Sequence, residues 1–383
     1  MLTATIQFSG AGGTTEAARQ AGILGAVAIN HSPCAMATHQ ANHPATLHLC
    51  QSMEVCNPDT LPESDFLLTS PCCTNHSVAK GQKQYHQFDL FGDIEYNPLA
   101  EKSRNTMEDV VRFATAKKHA GQPYKVMVLE NVVDVVKWRK YPGWLTSLIA
   151  LGYAYQALYW NTQFFQIPQS RDRVYLVFWL HDLPAPDLVY HPRAYCERCG
   201  CDVAASQTWK RLVKWGRYQE QYVYVCPQCT REVKPDTIPV ETVLNLSVQG
   251  RTLRERRLTE KTLRNVASGI ARMHGQPFLL GYYNTPLFRR LHEPVGTITT
   301  VDRWALITPG ETFEDTRLRM LSVEEVKRAM GFPESYRLLG STKEQVWMLG
   351  NAVCPPIMRE ILERCKAIVA SVERWEVAAC QSI

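Results

Sequence analysis

Long apolar runs are missing from this chain, and their absence excludes several classes of protein. No segment approaches the roughly 18 to 20 apolar residues that a helix needs to cross a bilayer. The first residues, MLTATIQFSGAGG, contain no basic region followed by an apolar one, so no signal peptide is expected. Because 45% of the residues are hydrophobic, global disorder is excluded as well. We therefore expect a globular, cytoplasmic protein without a membrane partner.

A strong net charge is also lacking, since the 383 residues carry a formal charge of only +5. The charge is nevertheless uneven along the chain. Residues 185–304 contain 18 Lys and Arg against 11 Asp and Glu, and the remainder is slightly acidic. A basic segment within a near-neutral body indicates a polyanionic partner, although a well-solvated surface would have the same composition.

Cysteine, in contrast, is plentiful, with 13 residues. Without a secretory signal these cysteines are expected to be thiols or metal ligands rather than disulfides. Cys196-x-x-Cys199 and Cys226-x-x-Cys229 flank 26 residues. Two such pairs are typical of a structural zinc site with four thiolates. We therefore predict zinc there; free thiols or a redox pair are the alternatives, and Cys201 is a possible competing ligand.

Apolar strands alternate with helices in the first half of the chain. Strands are predicted at 2–8, 23–30, 65–70, 124–132, 155–161 and 173–180, and helices at 14–21, 105–121 and 143–153. The first helix would begin at Thr14 or Thr15 and end before Gly22. This alternation predicts an α/β domain with a mainly parallel sheet covered on both faces.

The pattern changes after residue 184, where a proline-rich linker leads into a less regular, basic and aromatic stretch. Helical patterns return at 317–331 and 357–375. We therefore expect a body built from both ends of the chain and interrupted by a smaller domain. The expected units are the body at 1–184 and 305–383, the inserted domain at 185–304, and within it a four-cysteine element at about 194–232.

Two motifs follow predicted strands. The turn Phe8–Gly13 stands between a strand and a helix. Its glycines let the backbone approach a ligand, and a helix N-terminus offers free N–H donors, although such a turn can also serve packing alone. Cys72 follows Pro71 at the end of an apolar strand, where an activated nucleophile could stand; a buried apolar cysteine is the alternative.

Charged residues mark two further strand ends. Glu130 follows the apolar run VMVL, and a carboxylate there is costly unless it is paired or functional. Arg171 and Arg173 open the strand VYLVFW and suit the recognition of a carboxylate or phosphate. The alternatives are an ion pair or helix cap for the glutamate and ordinary surface charge for the arginines.

Together and in this order, the motifs resemble those of the DNA cytosine-5 methyltransferase family, of the bacterial or phage type. The resemblance covers nearly the whole body. The matching segments are Phe8–Gly13, Pro71-Cys72, Glu130-Asn131-Val132, Gln169-x-Arg171-x-Arg173, Arg319–Glu325 with Met330–Pro333, and Gly350–Val353. Six motifs in the family's order are specific, although each one alone is not.

The resemblance implies a Rossmann-like methyltransferase fold, S-adenosylmethionine as methyl donor, and double-stranded DNA as substrate. A monomer is favoured, although the sequence does not specify the oligomeric state. The inserted domain would then be a target recognition domain. The implied catalytic residues are Cys72, Glu130, Arg171 and Arg173. The implied cofactor-binding residues are Phe8, Gly10, Ala11, Gly13, Asn30, His31, Pro71, Asn351 and Val353.

In the reaction that the resemblance implies, Cys72 adds to C6 of a flipped-out cytosine and so activates C5 toward the methyl group. Glu130 would hydrogen-bond N3 of the ring, and Arg173, with Arg171, would stabilise O2 or hold the site together. The segment Thr74–Tyr85, with Lys80 and Lys83, resembles the family's catalytic loop. Interleaved basic and aromatic residues between the cysteine pairs suit contact with the DNA backbone and base stacking.

Three departures from the family pattern keep alternatives open. Cys73 replaces the glutamine that usually follows the nucleophile, and Asn30-His31 stand where an acidic residue usually holds the ribose. Leu49–Ser52 likewise lack the acidic residue expected near the adenine. The alternatives are an RNA cytosine-5 methyltransferase, a DNA-binding member of the scaffold with impaired catalysis, and an enzyme that transfers a bulkier group.

Overall fold

The structure is a computed structural model that describes residues 1–71, 105–212 and 214–380, the side chains of 371–380 excepted. Two predictions therefore fall outside it. Cys72, the predicted nucleophile, lies directly beyond the first described range, and the segment Thr74–Tyr85 lies outside as well. The residues on both sides of this gap are described, and they include the three other predicted catalytic residues.

A seven-stranded sheet is the largest layer of the described fold. Its strands are β1 (Thr3–Gln7), β2 (Leu24–Asn30), β3 (Leu47–Cys50), β4 (Phe66–Thr69), β5 (Val126–Asn131), β6 (Tyr153–Asn161) and β7 (Asp172–Leu180), in the order β3-β2-β1-β4-β5-β7-β6. The first five pair in parallel, whereas β7 is antiparallel to both neighbours. Because β4 and β5 are buried along their whole length, their sequences are continuously apolar up to the last residues. The predicted α/β class with a mainly parallel sheet is confirmed.

The two ends of the chain share one core. The helices in the described ranges are α1 (Gly13–Gln20), α2 (Pro33–Asn42), α3 (Glu108–His119), α4 (Tyr141–Ala150), α5 (Glu260–Arg272), α6 (Val323–Ala329), α7 (Thr342–Asn351) and α8 (Pro355–Cys380). Helix α1 packs against α8, and the Lys366 ammonium donates to the Ala21 carbonyl over 2.8 Å. Among the residues that the structure describes, no helix combines the length and the apolar character that crossing a membrane requires.

Two helix boundaries differ from those expected. Gly12, in the left-handed conformation, occupies the position before α1, so the helix begins at Gly13 and not after Thr14 or Thr15. The helix expected over 317–331 is instead strand β17 (Arg317–Met320) followed by α6. The Ser322 hydroxyl and the Glu325 carboxylate form a reciprocal capping box, which starts the helix only at Val323.

Three smaller sheets follow the main body. The described strands are β8 (Arg193–Cys196), β9 (Cys201–Ala204), β10 (Ser206–Trp209), β11 (Tyr222–Val225), β12 (Glu232–Val233), β13 (Arg251–Thr252), β14 (Phe278–Gly281), β15 (Leu287–Arg290), β16 (Trp304–Thr308) and β17. Strands β8 and β9 form a hairpin, and β10 to β12 form an antiparallel sheet. The last five form a sheet in the order β13-β17-β16-β14-β15, with α5 packed on it.

The five-stranded sheet crosses the domain boundary expected at residue 304. Strand β16 pairs with β14, with Ile307 opposite Phe278, and with β17 on its other side. By strand pairing, the smaller sheet thus extends to Met320, and α6 is the first element beyond it. A small core of its own, including Val266, Phe278 and Leu280, stabilises this unit.

Candidate active site

Four motifs meet at one edge of the main sheet. Because β1, β4 and β5 are parallel, Phe8, Pro71 and Asn131 lie at or just beyond their carboxyl ends. Strand β7 runs the opposite way, with Val174 paired to Asn131, so its first residues lie at the same edge. The carboxyl edge of a parallel sheet is where α/β folds place binding and catalytic groups. The fold therefore assembles motifs that are far apart in the sequence.

A buried ion pair occupies this edge. The Arg173 Nε lies 2.8 Å from Glu130 Oε1, and the two side chains are only 12% and 10% exposed. The Arg173 guanidinium also donates to the carbonyl of Asp172 over 2.8 Å. A buried carboxylate is costly when unpaired, so each charge keeps the other in the folded site. The arrangement presents a carboxylate and a guanidinium side by side at the sheet edge, where both can form hydrogen bonds with a polar ligand.

Asn131 connects this pair to the position before the predicted nucleophile. Its Nδ2 donates to the Pro71 carbonyl over 3.3 Å, and its Oδ1 accepts from the Val132 N–H over 2.8 Å. Asn131 is 1% exposed, so these hydrogen bonds are shielded from water. The backbone that leads into Cys72 is thus attached to the residue that follows Glu130.

Arg171 contacts backbone carbonyls. Its guanidinium, in a side chain that is 4% exposed overall, donates to Ile298 O over 2.8 Å and to Gly350 O over 3.0 Å. Gln169 meets the same segment, since its Oε1 accepts from the Ile298 N–H over 2.8 Å. These contacts join the start of β7 to the end of the inserted domain and to the end of α7.

The turn Phe8–Gly13 is built from left-handed residues. Phe8, Gly10 and Gly12 have φ values of 53°, 51° and 89°. The turn is fastened to the sheet because the Ser9 N–H donates to Ile29 O over 3.1 Å. Phe8 and Gly10 remain half-exposed, whereas Ala11 and the two glycines after it are buried. The turn therefore offers backbone surface on one side while its other side is packed.

The last motif of the chain packs against this turn. A Cβ on Gly13 would clash with the Val353 carbonyl, so only glycine permits this approach. Val353 is 4% exposed, and Asn351, the last residue of α7, is exposed. The structure thus brings together Gly13 and Val353, two of the predicted cofactor-binding residues.

The second predicted cofactor contact lies after β2. Asn30 uses its Oδ1 to accept from the Ser32 N–H over 2.9 Å, which shapes the turn into α2. His31 is exposed beside it, and Cys50 is exposed at the end of β3. Asn30 therefore has a local structural role, whereas His31 is free to contact a ligand at the sheet edge.

A histidine network below the turn was not predicted. His39 Nδ1 lies 2.8 Å from His48 Nε2, and His39 Nε2 lies 2.7 Å from Thr15 Oγ1. His43 Nε2 lies 3.1 Å from the Tyr336 hydroxyl, which donates to Ala11 O over 2.6 Å. The signal available in the sequence was the spacing of four residues between His39, in α2, and His43, directly after α2.

Burial keeps these histidines neutral. Desolvation, with a smaller contribution from its histidine neighbours, lowers the pKa of His39 to about 2. Desolvation is also the main cause that lowers the pKa of His43 to about 4. Neutral imidazoles at this place let the network act as a set of uncharged hydrogen-bonding groups at physiological pH.

Two further buried groups lie beside the catalytic candidates. Burial raises the pKa of Asp172 to about 6, although the Tyr218 N–H, Asn161 and two arginines oppose the shift. Burial likewise raises the pKa of the Cys354 thiol to about 11, so this cysteine is a neutral thiol. Neither was predicted: Asp172 stands between Arg171 and Arg173 and Cys354 directly follows Val353, but these positions in the sequence do not show that the side chains are buried beside the site.

The four predicted metal ligands converge. The sulfur atoms of Cys196, Cys199, Cys226 and Cys229 all lie within 4.8 Å of one another. The Cys196–Cys229 and Cys199–Cys226 pairs are 3.6 and 3.8 Å apart. Tetrahedral zinc with Zn–S bonds of about 2.3 Å would separate its sulfurs by about 3.8 Å. Cys201 is not among the clustered ligands of the described residues.

Several aromatic residues between the cysteine pairs are packed rather than free. Tyr222 is fully buried, and the Trp209 ring contacts both Tyr222 and Tyr159 of β6. The expectation of base stacking therefore fails for Tyr222, whose ring is inside the core. The basic residues Lys210 and Lys214 are exposed, which leaves them available to phosphates.

Solved structures with this fold are methyltransferases. S. pombe Dnmt2 superposes with a TM-score of 0.58 at 14% identity, covering 94% of this chain and 97% of that one. A mutant of Spodoptera frugiperda DNMT2 gives 0.56 at 16% identity, with 95% and 99% covered. These similarities show that the chain has the fold of this class of proteins.

A family model settles the family within that class. The model for the C-5 cytosine-specific DNA methylases matches residues 7–367, and the chain belongs to this family. The type II methyltransferase M.NlaX of Neisseria lactamica is 25% identical over 90% of this chain and 88% of its own length. M.HhaI of Haemophilus parahaemolyticus is 21% identical over 80% and 76%.

Matches to large eukaryotic enzymes are shorter. The rice DNA (cytosine-5)-methyltransferase CMT2 is 38% identical over 72 residues, which are 18% of this chain and 5% of that protein. The chain therefore spans about 5% of the rice relative that it matches, whereas it spans most of M.HhaI and M.NlaX.

Proposed function

We propose that this chain transfers a methyl group from S-adenosylmethionine to C5 of cytosine in double-stranded DNA, acting as a monomer. The buried Glu130–Arg173 pair at the sheet edge carries the proposal. It stands next to Asn131, which holds the carbonyl of Pro71, the residue before Cys72. Family membership supports the same reaction class and DNA as the substrate.

Cys72 is the nucleophile in this proposal. Its thiolate adds to C6 of the ring, and the electron pair of the C5–C6 bond becomes available at C5. Glu130, carrying or sharing a proton, donates a hydrogen bond to N3, which has no hydrogen of its own, and Arg173 stabilises the charge that develops on O2. After C5 has gained the methyl group, loss of the C5 proton expels the thiolate and restores the ring. A base stacked in a duplex cannot reach these groups, so the target cytosine is flipped out.

Arg171 is a positioning residue in this scheme. Its donors are directed at the carbonyls of Ile298 and Gly350, so it holds the end of the inserted domain against the start of β7. Because Arg171 directly precedes β7 and Arg173 is only two residues further along the chain, a shift of Arg171 would move Arg173 as well.

The residues around the Phe8–Gly13 turn fit the methyl donor. The half-exposed Phe8 and Gly10 give access to backbone, and the close contact of Gly13 with Val353 fixes the turn. Pro71, His31 and Asn351 lie at the same edge or at the adjoining helix end and complete the proposed contacts, with Ala11 and Asn30 shaping the backbone. When bound, S-adenosylmethionine supplies an electrophilic methyl group.

We also propose that the four-cysteine element holds a structural zinc ion. The nearly tetrahedral spacing of the sulfurs supports this assignment. Burial alone would raise the pKa of Cys226, yet the backbone N–H groups of Cys229 and Gln228 and the neighbouring thiols lower it to about 7. A thiolate at this position is what a metal would bind.

A covalent trap tests the reaction. With duplex DNA that contains 5-fluorocytosine, the C5 substituent cannot leave as a proton, so the Cys72 adduct should persist in the presence of S-adenosylmethionine. Cys72→Ala should abolish the adduct and lower methyl transfer by at least about 10⁴-fold, because the covalent route is lost. Adduct is detected by gel shift and methylation by bisulfite sequencing.

Cys73→Ala is the matched control, since it removes a neighbouring thiol and should retain the adduct. An adduct that persists in Cys72→Ala and disappears in Cys73→Ala would assign the nucleophile elsewhere. Adduct formation with RNA in preference to DNA would overturn the proposed substrate. If the protein binds DNA but forms no adduct with it, the proposed enzymatic activity is overturned.

A further inference from the structure

The four-cysteine element is attached directly to the catalytic strand β7. Asp172 lies between Arg171 and Arg173, and in a strand its side chain points to the opposite face from theirs. On that face Asp172 Oδ1 accepts from the Tyr218 N–H over 3.0 Å. The element therefore holds the backbone of the arginine motif from behind.

A second attachment reaches the segment after Glu130. The Arg217 guanidinium forms an ion pair with Asp134, whose side chain is 6% exposed. Lys137 binds the other carboxylate oxygen over 2.8 Å, and its ammonium lies 4.7 Å from the centre of the Trp215 ring. The same short segment of the element thus contacts Asp172, which lies inside the arginine motif, and residues that follow Glu130-Asn131-Val132.

Aromatic packing adds to the two attachments. Phe164 meets Tyr218 and Tyr224 edge-on, with ring centres 4.8 and 5.1 Å apart. The Gln207 side chain donates to Tyr159 O in β6, over 2.9 Å, next to β7 in the sheet. Such contacts leave little freedom for sliding, because well-packed interiors have few alternative arrangements.

We propose that the four-cysteine element is a brace for the active site, in which Arg217 acts as a positioning residue for Glu130 and Arg173. The element binds Asp134 and Asp172. Asp172 directly precedes Arg173, and Asp134 follows Glu130 closely in the sequence. A strand end is free to fray unless it is tied down. The element supplies that tie at β7 and, through Asp134, beside β5. The effect that we expect the brace to have on kcat rests on the proposed methyl transfer.

Kinetics separate a brace from a DNA-binding module. Arg217→Ala should lower kcat about 10- to 100-fold and leave KM for DNA nearly unchanged, because misplacement of catalytic groups affects the chemical step. Arg211→Ala removes an exposed charge of the same element and should, if it changes anything, raise KM for DNA alone. If Arg217→Ala raises KM while kcat stays the same, the brace is refuted.

The reciprocal variant tests the pair itself. If Arg217 acts through Asp134, then Asp134→Ala should lower kcat to a similar extent, and the double variant should be no worse than either single one. Arg217→Lys keeps the charge and should restore part of kcat, which also serves if the alanine variant fails to fold. If the fold losses of kcat in the two single variants multiply in the double variant, Arg217 does not act through Asp134.

Hydrogen exchange gives a readout that does not depend on methyl transfer. In Arg217→Ala, peptides that cover 158–175 should exchange faster than in wild type, whereas peptides from β1 and β2 should be unchanged. If Arg217→Ala exchanges faster than wild type but the wild-type protein methylates no DNA, the brace is supported and the proposed reaction is refuted. Unchanged exchange at 158–175 would refute the brace, whether or not the protein methylates DNA.

Discussion

At the scale of single residues, the paired charges of Glu130 and Arg173 determine what the sheet edge can do. The carboxylate and the guanidinium are both nearly buried and 2.8 Å apart. Neither could stay charged alone at this depth without a large cost in free energy. The same contact that stabilises the fold therefore keeps both groups ready to meet a polar ring.

Glu130→Gln tests this dual role. Glutamine keeps the shape but leaves the Arg173 charge unpaired, so unfolding should become easier by about 3 kcal/mol. Methyl transfer should fall about 10²- to 10⁴-fold, because glutamine cannot deliver a proton to the ring nitrogen. Urea unfolding and initial rates at a temperature where the variant is folded measure the two effects.

Glu325→Gln is the matched control for that variant. Glu325 is also buried and paired, with Arg319 at 2.7 Å, but it caps α6 and its partner belongs to β17 of the smaller sheet. It should lose comparable stability with a much smaller change in rate. Equal loss of rate in both variants would mean that Glu130 acts only through stability.

At the scale of elements, continuous apolar runs and glycines were the informative signals. Strands β4, β5 and β7 were predictable because buried parallel or central strands have few polar positions. Strand β17 was assigned to a helix because its residues continue an apolar pattern into α6, and only pairing with β16 makes them a strand. Pairing of this kind depends on residues that are distant in the sequence.

The helix α2 adds a pH dependence that no motif indicated. His39 and His43 have pKa values of about 2 and about 4 in the folded chain, below the unfolded value of about 6.5. The unfolded chain then binds more protons between these values, so stability is fully present above pH 6.5 and falls as the pH drops below it. Where the pH lies well below 6.5 but still above the folded-state pKa of a histidine, the contribution of that histidine falls by about 1.4 kcal/mol per pH unit.

His39→Gln should reduce this slope by about one proton, measured as the free energy of unfolding in urea between pH 6 and pH 5. His31→Gln is its control, because His31 is exposed and lies outside the network of hydrogen-bonded histidines. An equal reduction of the slope in both variants would contradict the assignment to His39. If His39→Gln and wild type have the same slope, the network does not supply the pH dependence.

At the scale of the whole molecule, the motifs could be predicted but the contacts between them could not. Residue types at strand ends marked Glu130, Arg171 and Arg173 as candidates, and the family resemblance implied that Glu130 and Arg173 contact a ring. Arg171 has the same residue type as Arg173 and directly precedes β7, yet its guanidinium meets Ile298 O and Gly350 O. Which backbone a long side chain reaches depends on the packing of remote segments, and composition and spacing carry no information on it.

Removal of zinc tests how far the four-cysteine element supports the molecule. We expect about one zinc per chain by metal analysis, and a chelator should lower the thermal midpoint by about 2 °C for each kcal/mol of binding energy lost. Cys199→Ser should lose the metal, whereas Cys201→Ser should keep it, since Cys201 lies outside the sulfur cluster. A metal-free wild-type chain with an unchanged midpoint would refute the site.

The contact of Gly13 with Val353 also has a consequence for biosynthesis. A ribosome adds Gly13 long before Val353, so the turn cannot reach its final packing until residue 353 has been translated. A nascent chain that stops before residue 353 therefore lacks the carbonyl on which the turn rests. Folding of the Phe8–Gly13 turn is thus coupled to the synthesis of a segment that is distant in the sequence.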